Sequence, residues 1–117
     1  MCGLGLAITI NSNEHINIVE KINNFQSYRG PDFSKVKNFP NFSFCHQRLS
    51  ILDLNRRSNQ PFLYKHIEII FNGEIYNFKI LKKKLINLGY FFSTTSDTEV
   101  IAIGIYHFGK SFLKQLD

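Results

Sequence analysis

The 117 residues include no tryptophan, only two cysteines, and no apolar run near the roughly 18 residues that would suggest a membrane span. The amino terminus lacks the basic region, apolar core and cleavage site of a secretory signal. Neither a membrane partner nor export is therefore expected. Cys2 and Cys45 are too few for a disulfide framework, and no paired ligands occur at zinc-site spacing. A reduced, cytoplasmic setting without a metal site is the expectation. Acidic residues are also scarce: nine Asp and Glu stand against fourteen Lys and Arg, a formal net charge of +5. That balance raises the question of nucleic-acid binding. The only basic triplet, however, is Lys82-Lys83-Lys84, on a segment whose Phe78, Leu81, Leu85 and Leu88 recur at helical spacing. The triplet then reads as the solvated face of an amphipathic helix, and no nucleic-acid partner is expected.

What is present suffices for one small domain. A chain of this size, 44% hydrophobic, buries roughly two thirds of its unfolded surface. Its 12 Phe and 5 Tyr suit a folded protein that contains sheet. Residues 3–10 read as a strand, and Asn11-Ser12-Asn13 supply turn and capping chemistry for a helix over 14–25 that buries Ile16, Val19 and Ile22. Gly30-Pro31 stops what precedes it, since proline cannot continue a helix and glycine permits unusual backbone angles. After a loop, Phe42 and Phe44 alternate with Ser43 and Cys45 in a second strand. A third spans 67–71 and breaks at Asn72-Gly73, a pair suited to positive φ. Helices follow over 78–88, closed by Gly89, and from the capping-box pattern Ser96-Asp97-Thr98-Glu99 to about Phe108. The order strand, helix, strand, strand, helix, helix with antiparallel pairing makes an α+β fold.

Cys2 is the first candidate for chemistry. Removal of Met1 would leave one residue with both a thiol and a free amine, whose ordinary pKa values of about 8.5 and 7.7 to 8.0 lie close together. The amine can then take the thiol proton near neutral pH, a step for which an internal cysteine needs a separate base. The alternative is a small hydrophobe at the start of a buried strand.

Four further segments follow in order: Arg29-Gly30-Pro31-Asp32, His46-Gln47-Arg48-Leu49-Ser50-Ile51-Leu52-Asp53, Phe71-Asn72-Gly73-Glu74-Ile75-Tyr76-Asn77-Phe78 and Ser96-Asp97-Thr98-Glu99-Val100. With Cys2 they resemble the glutaminase domain of glutamine-hydrolysing asparagine synthetase, a class II glutamine amidotransferase of the amino-terminal-nucleophile (Ntn) hydrolase superfamily. The resemblance runs through all 117 residues. It implies a four-layer α/β/β/α sandwich of antiparallel sheets, incomplete here because relatives continue beyond Asp117. Residues 1–117 would be the amino-terminal part of the amidotransferase domain, with the ATP-binding synthetase domain absent.

The resemblance also assigns roles. Cys2 is the nucleophile that forms a γ-glutamyl thioester, and the Asn72 side chain and Gly73 N–H are the oxyanion donors. Arg48 grips the carboxylate of glutamine with a fork that lysine lacks, while Glu74 and Asp97 face its ammonium. Arg29 and Asp32 are structural support. His46 receives no catalytic part, and Cys45 stands as a packing residue where relatives commonly have glycine. No metal or organic cofactor is implied for this half; ATP and Mg belong to the synthetase domain, which activates aspartate and receives the ammonia. The implied partners are glutamine and that domain or chain, and a homodimer is open for the full-length enzyme. Taken on residue chemistry alone, other readings stand beside these. Asn72-Gly73 also suits a tight turn, Asp97 a helix cap and Glu74 an exposed turn. A partial gene product that binds without turnover, or a class II amidotransferase with another acceptor, is the alternative at the level of the whole chain.

Overall fold

A computed structural model describes residues 1–10 and 12–117, so the turn expected at Asn11 lies outside the described residues. The chain divides into two compact units, Met1–Ser50 with Ile70–Asn72, and Ile51–Ile69 with Gly73–Asp117. Both are α+β, and every strand pairing within their two sheets is antiparallel.

The first unit contains β1 (Gly3–Ile8), α1 (Glu14–Phe25), β2 (Phe33–Asn38) and β3 (Phe42–Arg48). β3 lies between the other two strands, with Gly3 opposite Gln47 and Phe33 opposite Arg48. Helix α1 covers one face, where Val19 packs with Ala7 and Cys45 and is flanked by Ile22 and Val36. Burying a side chain such as Val19 contributes roughly 1.5 to 3 kcal/mol. The Cys45 thiol is fully enclosed in that cluster, and burial pushes its pKa above the ordinary value.

The helix has its expected bounds and an inward face wider than expected. Val19 is buried and Ile16 and Ile22 are half-buried, as expected in direction, and His15 and Asn23 are buried with them. The two polar residues turn inward because the sheet supplies partners. His15 Nδ1 meets Ser43 Oγ at 2.7 Å and Nε2 meets the Pro40 carbonyl at 3.3 Å. A carbonyl only accepts, so in the neutral ring Nε2 carries the proton and Nδ1 accepts from Ser43. Gln47 Nε2 donates to the Asn23 carbonyl and to its Oδ1 at 2.9 and 3.0 Å. Strand β2 lies where the sequence predicts a loop, because Ser34, Lys35, Lys37 and Asn38 give it little apolar alternation. It forms as an edge strand, where a polar outer side is tolerated. β1 is shorter than expected and leaves Ile10 exposed.

The second unit contains β4 (Phe62–Tyr64), β5 (Ile67–Ile69), α2 (Phe78–Asn87) and α3 (Asp97–Phe108). β4 and β5 form a hairpin that was expected only as a single strand over 67–71. Three-residue strands are too short to show periodicity, so β4 carries no sequence signal. Helix α3 buries Val100, Ile101, Ala102 and Ile103, and packs on β4, β5 and α2. Gly89, at φ 92°, ends α2 through bonds from Gly89 N to the Ile86 carbonyl and from Tyr90 N to the Leu85 carbonyl, the Schellman arrangement. Two of the three lysines in the basic triplet are not simply solvated. Lys82 donates to the Thr94 carbonyl at 2.8 Å over the ring of Phe92, and Lys84 donates to Gln115 Oε1 at 2.8 Å over Phe108. Among the described residues no helix is long and apolar enough to cross a membrane.

One glycine is fixed by close approach. A Cβ at Gly30 would collide with the backbone of Gln47 and Arg48 in the central strand, which cannot yield without breaking its pairing to β1 or β2. Gly30→Ala is expected to cost about 1 to 3 kcal/mol, as other overpacked substitutions do. Urea unfolding of the variant and the parent chain, compared at equal m-value, measures that loss.

Candidate active site

In the first unit, the pairing of Gly3 with Gln47 carries Cys2 alongside the end of β3. The Cys2 sulfur accepts the Leu49 N–H at 3.3 Å, and its S–H donates to the Leu49 carbonyl at 3.6 Å. Leu49, directly after Arg48, was not singled out from sequence, because a backbone donor leaves no side-chain signature. Arg29 Nε donates to the Cys2 carbonyl at 3.1 Å, and Asp32 Oδ2 accepts the Ser50 N–H at 2.7 Å. The Asp32 N–H donates to the Arg48 carbonyl at 3.1 Å. Arg29 and Asp32 thus touch the backbone at Cys2 and on both sides of Leu49. Arg48 itself is only 6% exposed.

Asn72 is exposed at the end of the segment 70–72. The residue before it is held by His46, whose Nε2 donates to the Phe71 carbonyl at 3.3 Å. His46 is fully buried, and its Nδ1 has no hydrogen-bond partner among the described residues. Burial holds the imidazole below its ordinary value of 6.5; the Phe71 carbonyl opposes that shift and the nearby Arg48 charge reinforces it. The ring is neutral at physiological pH, with the proton on Nε2.

In the second unit, Gly73 and Glu74 are exposed. Asp97 is 5% exposed in the first turn of α3, and its Oδ2 accepts the Ile75 N–H at 3.3 Å. Burial is the main cause of a pKa raised above the ordinary 3.8; the Ile75 and Thr98 amides oppose it and the Glu74 charge adds to it. Ser96, not Asp97, caps α3, its Oγ accepting the Thr98 N–H at 3.0 Å. The reciprocal half of the expected capping box is missing. Glu99 does not return to the Ser96 amide but accepts four bonds from Ser93 N and Oγ and Thr94 N and Oγ1, at 2.7 to 2.9 Å. The Ser96 N–H goes instead to Thr94 Oγ1 at 3.1 Å.

Asp53, read from sequence only as the end of a motif, holds the next link of this loop. Its Oδ2 accepts the Thr95 N–H at 2.9 Å and the Thr95 hydroxyl at 3.2 Å, and its Oδ1 accepts the Asn55 N–H at 2.9 Å. The Thr95 amide is the main reason its carboxyl stays well below the usual range, against the opposing effect of burial. Among the described residues no group of three or more His, Cys, Asp or Glu is gathered as a metal site requires.

The family model described as the glutamine amidotransferase domain matches residues 1–117. The chain belongs to that family. It is 42% identical over 107 residues to glutamine-hydrolysing asparagine synthetase 2 of Bacillus subtilis strain 168, covering 86% of this chain and 14% of that protein. It is 36% identical over 122 aligned positions to glutamine-hydrolysing asparagine synthetase 2 of Arabidopsis thaliana, covering 100% of this chain and 20% of that protein. A glutamine-hydrolysing asparagine synthetase of Sandersonia aurantiaca is 43% identical over 93 residues, 77% of this chain and 17% of that protein. The chain spans a fifth or less of the length of these relatives.

For this amidotransferase chain, the raised pKa of Asp97 has a consequence for stability. Between pH 3.8 and the folded value, the native state holds a proton that the unfolded chain has released. Stability therefore falls as pH rises through that window, and the deficit persists at neutral pH. Asn can still accept the Ile75 N–H without carrying charge. Asp97→Asn is expected to raise the melting temperature at pH 7 by a few degrees and to lose that advantage near pH 3.5. Melting curves at the two pH values check both parts.

Proposed function

We propose that the chain is the glutaminase part of a glutamine-hydrolysing asparagine synthetase, releasing ammonia from glutamine through a thioester on Cys2. The observation that carries this reading is the placement of Cys2 against Leu49, next to Arg48, in a chain whose whole length matches the amidotransferase domain. The similarity to asparagine synthetases supports aspartate as the ultimate acceptor.

The steps follow from the residues. With Met1 removed, the Cys2 amine takes the thiol proton and the thiolate attacks the side-chain carbonyl carbon of glutamine. The oxyanion accepts bonds from the Asn72 amide and the Gly73 N–H. As the intermediate collapses, the C–N bond breaks and the Cys2 ammonium protonates the departing nitrogen, leaving ammonia and the γ-glutamyl thioester. Water, deprotonated by the same amine, attacks the thioester; the C–S bond breaks, and glutamate leaves. Arg48 holds the α-carboxylate of glutamine, and Glu74 and Asp97 hold its ammonium. Neutral His46 acts on the Phe71 carbonyl and takes no proton in this scheme.

No metal or organic cofactor enters these steps. ATP and Mg belong to a synthetase domain or chain that takes up the ammonia, and the full-length enzyme is the place for a homodimer. In that enzyme the residues 1–117 form the amino-terminal part of a four-layer α/β/β/α sandwich, in a reducing cytoplasm where Cys2 stays a thiol.

Two measurements test the reading. Incubation of the chain with a diazoketone analogue of glutamine, followed by intact mass, is expected to show loss of Met1 and one adduct. Cys2→Ala abolishes that adduct, while the enclosed Cys45 remains unlabelled. A chain that has lost Met1 yet takes no adduct overturns the reading. Asn72→Ala is expected to lower kcat for ammonia release by about 10²- to 10³-fold, the usual cost of one oxyanion donor, with little change in KM.

A further inference from the structure

The tetrapeptide Ser93-Thr94-Thr95-Ser96 delivers Asp97 to the first turn of α3, and every backbone N–H in it is held by a side chain. Glu99 takes those of Ser93 and Thr94, Thr94 Oγ1 takes that of Ser96, and Asp53 takes that of Thr95. Three of these anchors come from within the loop and its helix. Asp53 reaches Thr95 from 42 residues earlier in the chain. Asp53 is itself 6% exposed, and the half-exposed Arg57 stands beside it, with Nε 3.5 Å from Oδ2. Both of its oxygens are engaged by donors on opposite sides, Thr95 on Oδ2 and Asn55 on Oδ1.

We infer that Asp53 is a positioning residue for substrate selection, fixing the loop at Thr95 so that the Asp97 carboxylate stands where the α-ammonium of glutamine must sit. The inference rests on the proposed function, in which Asp97 binds that ammonium. Only Ser96 separates Thr95 from Asp97, so release of the Thr95 anchor frees the approach to α3. A displacement of about 1 Å in a binding group can cost on the order of 10²-fold. The chemistry also sets the direction of the effect. An amide at position 53 has one acceptor oxygen, so it would turn an N–H₂ toward either Thr95 or Asn55, donor against donor.

The test compares glutamine with glutaric acid monoamide, which carries the same reacting amide and carboxylate but no α-amine. Asp53→Asn is expected to raise KM for glutamine about tenfold, as loss of charge-assisted bonds does, while changing kcat and the KM for the monoamide little. Preference for glutamine over the monoamide therefore drops about tenfold. Thr95→Val keeps the loop N–H and removes only the hydroxyl bond, and is expected to lower the preference about threefold; it decides the question if Asp53→Asn does not fold. Asp97→Asn is the benchmark. If it leaves the preference unchanged, or if the parent chain releases no ammonia from glutamine, the proposed function fails and this inference with it. If Asp97→Asn lowers the preference but Asp53→Asn and Thr95→Val do not, the positioning role alone is overturned. Equal loss with both substrates, together with a lower melting temperature, likewise reduces Asp53 to a structural residue and overturns the inference.

Discussion

The antiparallel register of β1 on β3 is the constraint on which the first unit's chemistry depends. Gly3 stands opposite Gln47, so the residue before β1 and the residue ending β3 arrive at the same level. Because side chains alternate across a strand, a slip of one residue would turn Arg48 and His46 to the α1 side and bring Cys45 and Gln47 out. The core forbids that slip. Cys45 is enclosed with Ala7 and Val19, and Gln47 is bonded to Asn23 on the helix. The packing on one face of the sheet thereby fixes what the other face presents. Gly30 extends the same constraint to the chain that bears Arg29 and Asp32, since only a residue without Cβ can lie against Gln47 and Arg48.

The second unit depends on a different interaction, the capture of backbone amides by buried carboxylates. A loop just before a helix has donors that no regular structure satisfies, and burying them unpaired is costly. Glu99 and Asp53 solve this for residues 93–95, and Ser96 caps the helix that follows. Asp97, next in the chain, accepts the Ile75 N–H, and burial opposes its charge. A buried carboxylate whose charge is opposed by desolvation lowers stability, and it is also the form of group that gains most from a cationic substrate. The stable neighbours and the strained member thus serve one purpose in the proposed reaction.

Much of the local structure was legible in the residues. The bounds of α1 and α3, the Gly89 cap and the Ser96 cap agree with their sequence signals, because each is decided by chemistry within a few positions. The motif residues also followed from sequence through the family resemblance, and the family match over residues 1–117 agrees with it. What sequence patterning does not carry are the features decided at a distance. β2 carries little apolar alternation and exists because β3 offers it an edge. The burial of His15 and Asn23 on α1 has no sequence signal, because they find Ser43, Pro40 and Gln47 only once the sheet has formed.

The same division holds for the site. The amino acid order alone determined that a cysteine follows the initiator, that Arg48, Asn72, Gly73, Glu74 and Asp97 are available, and that the chain is of a length and hydrophobicity to fold. Only the tertiary structure decided that Leu49 supplies the N–H facing the Cys2 sulfur, that His46 holds the carbonyl before Asn72, and that Asp53 anchors Thr95. The physical reason is common to all three. Each is a bond to a backbone amide or carbonyl remote in sequence, and such groups are identical at every position until folding brings a partner to one of them.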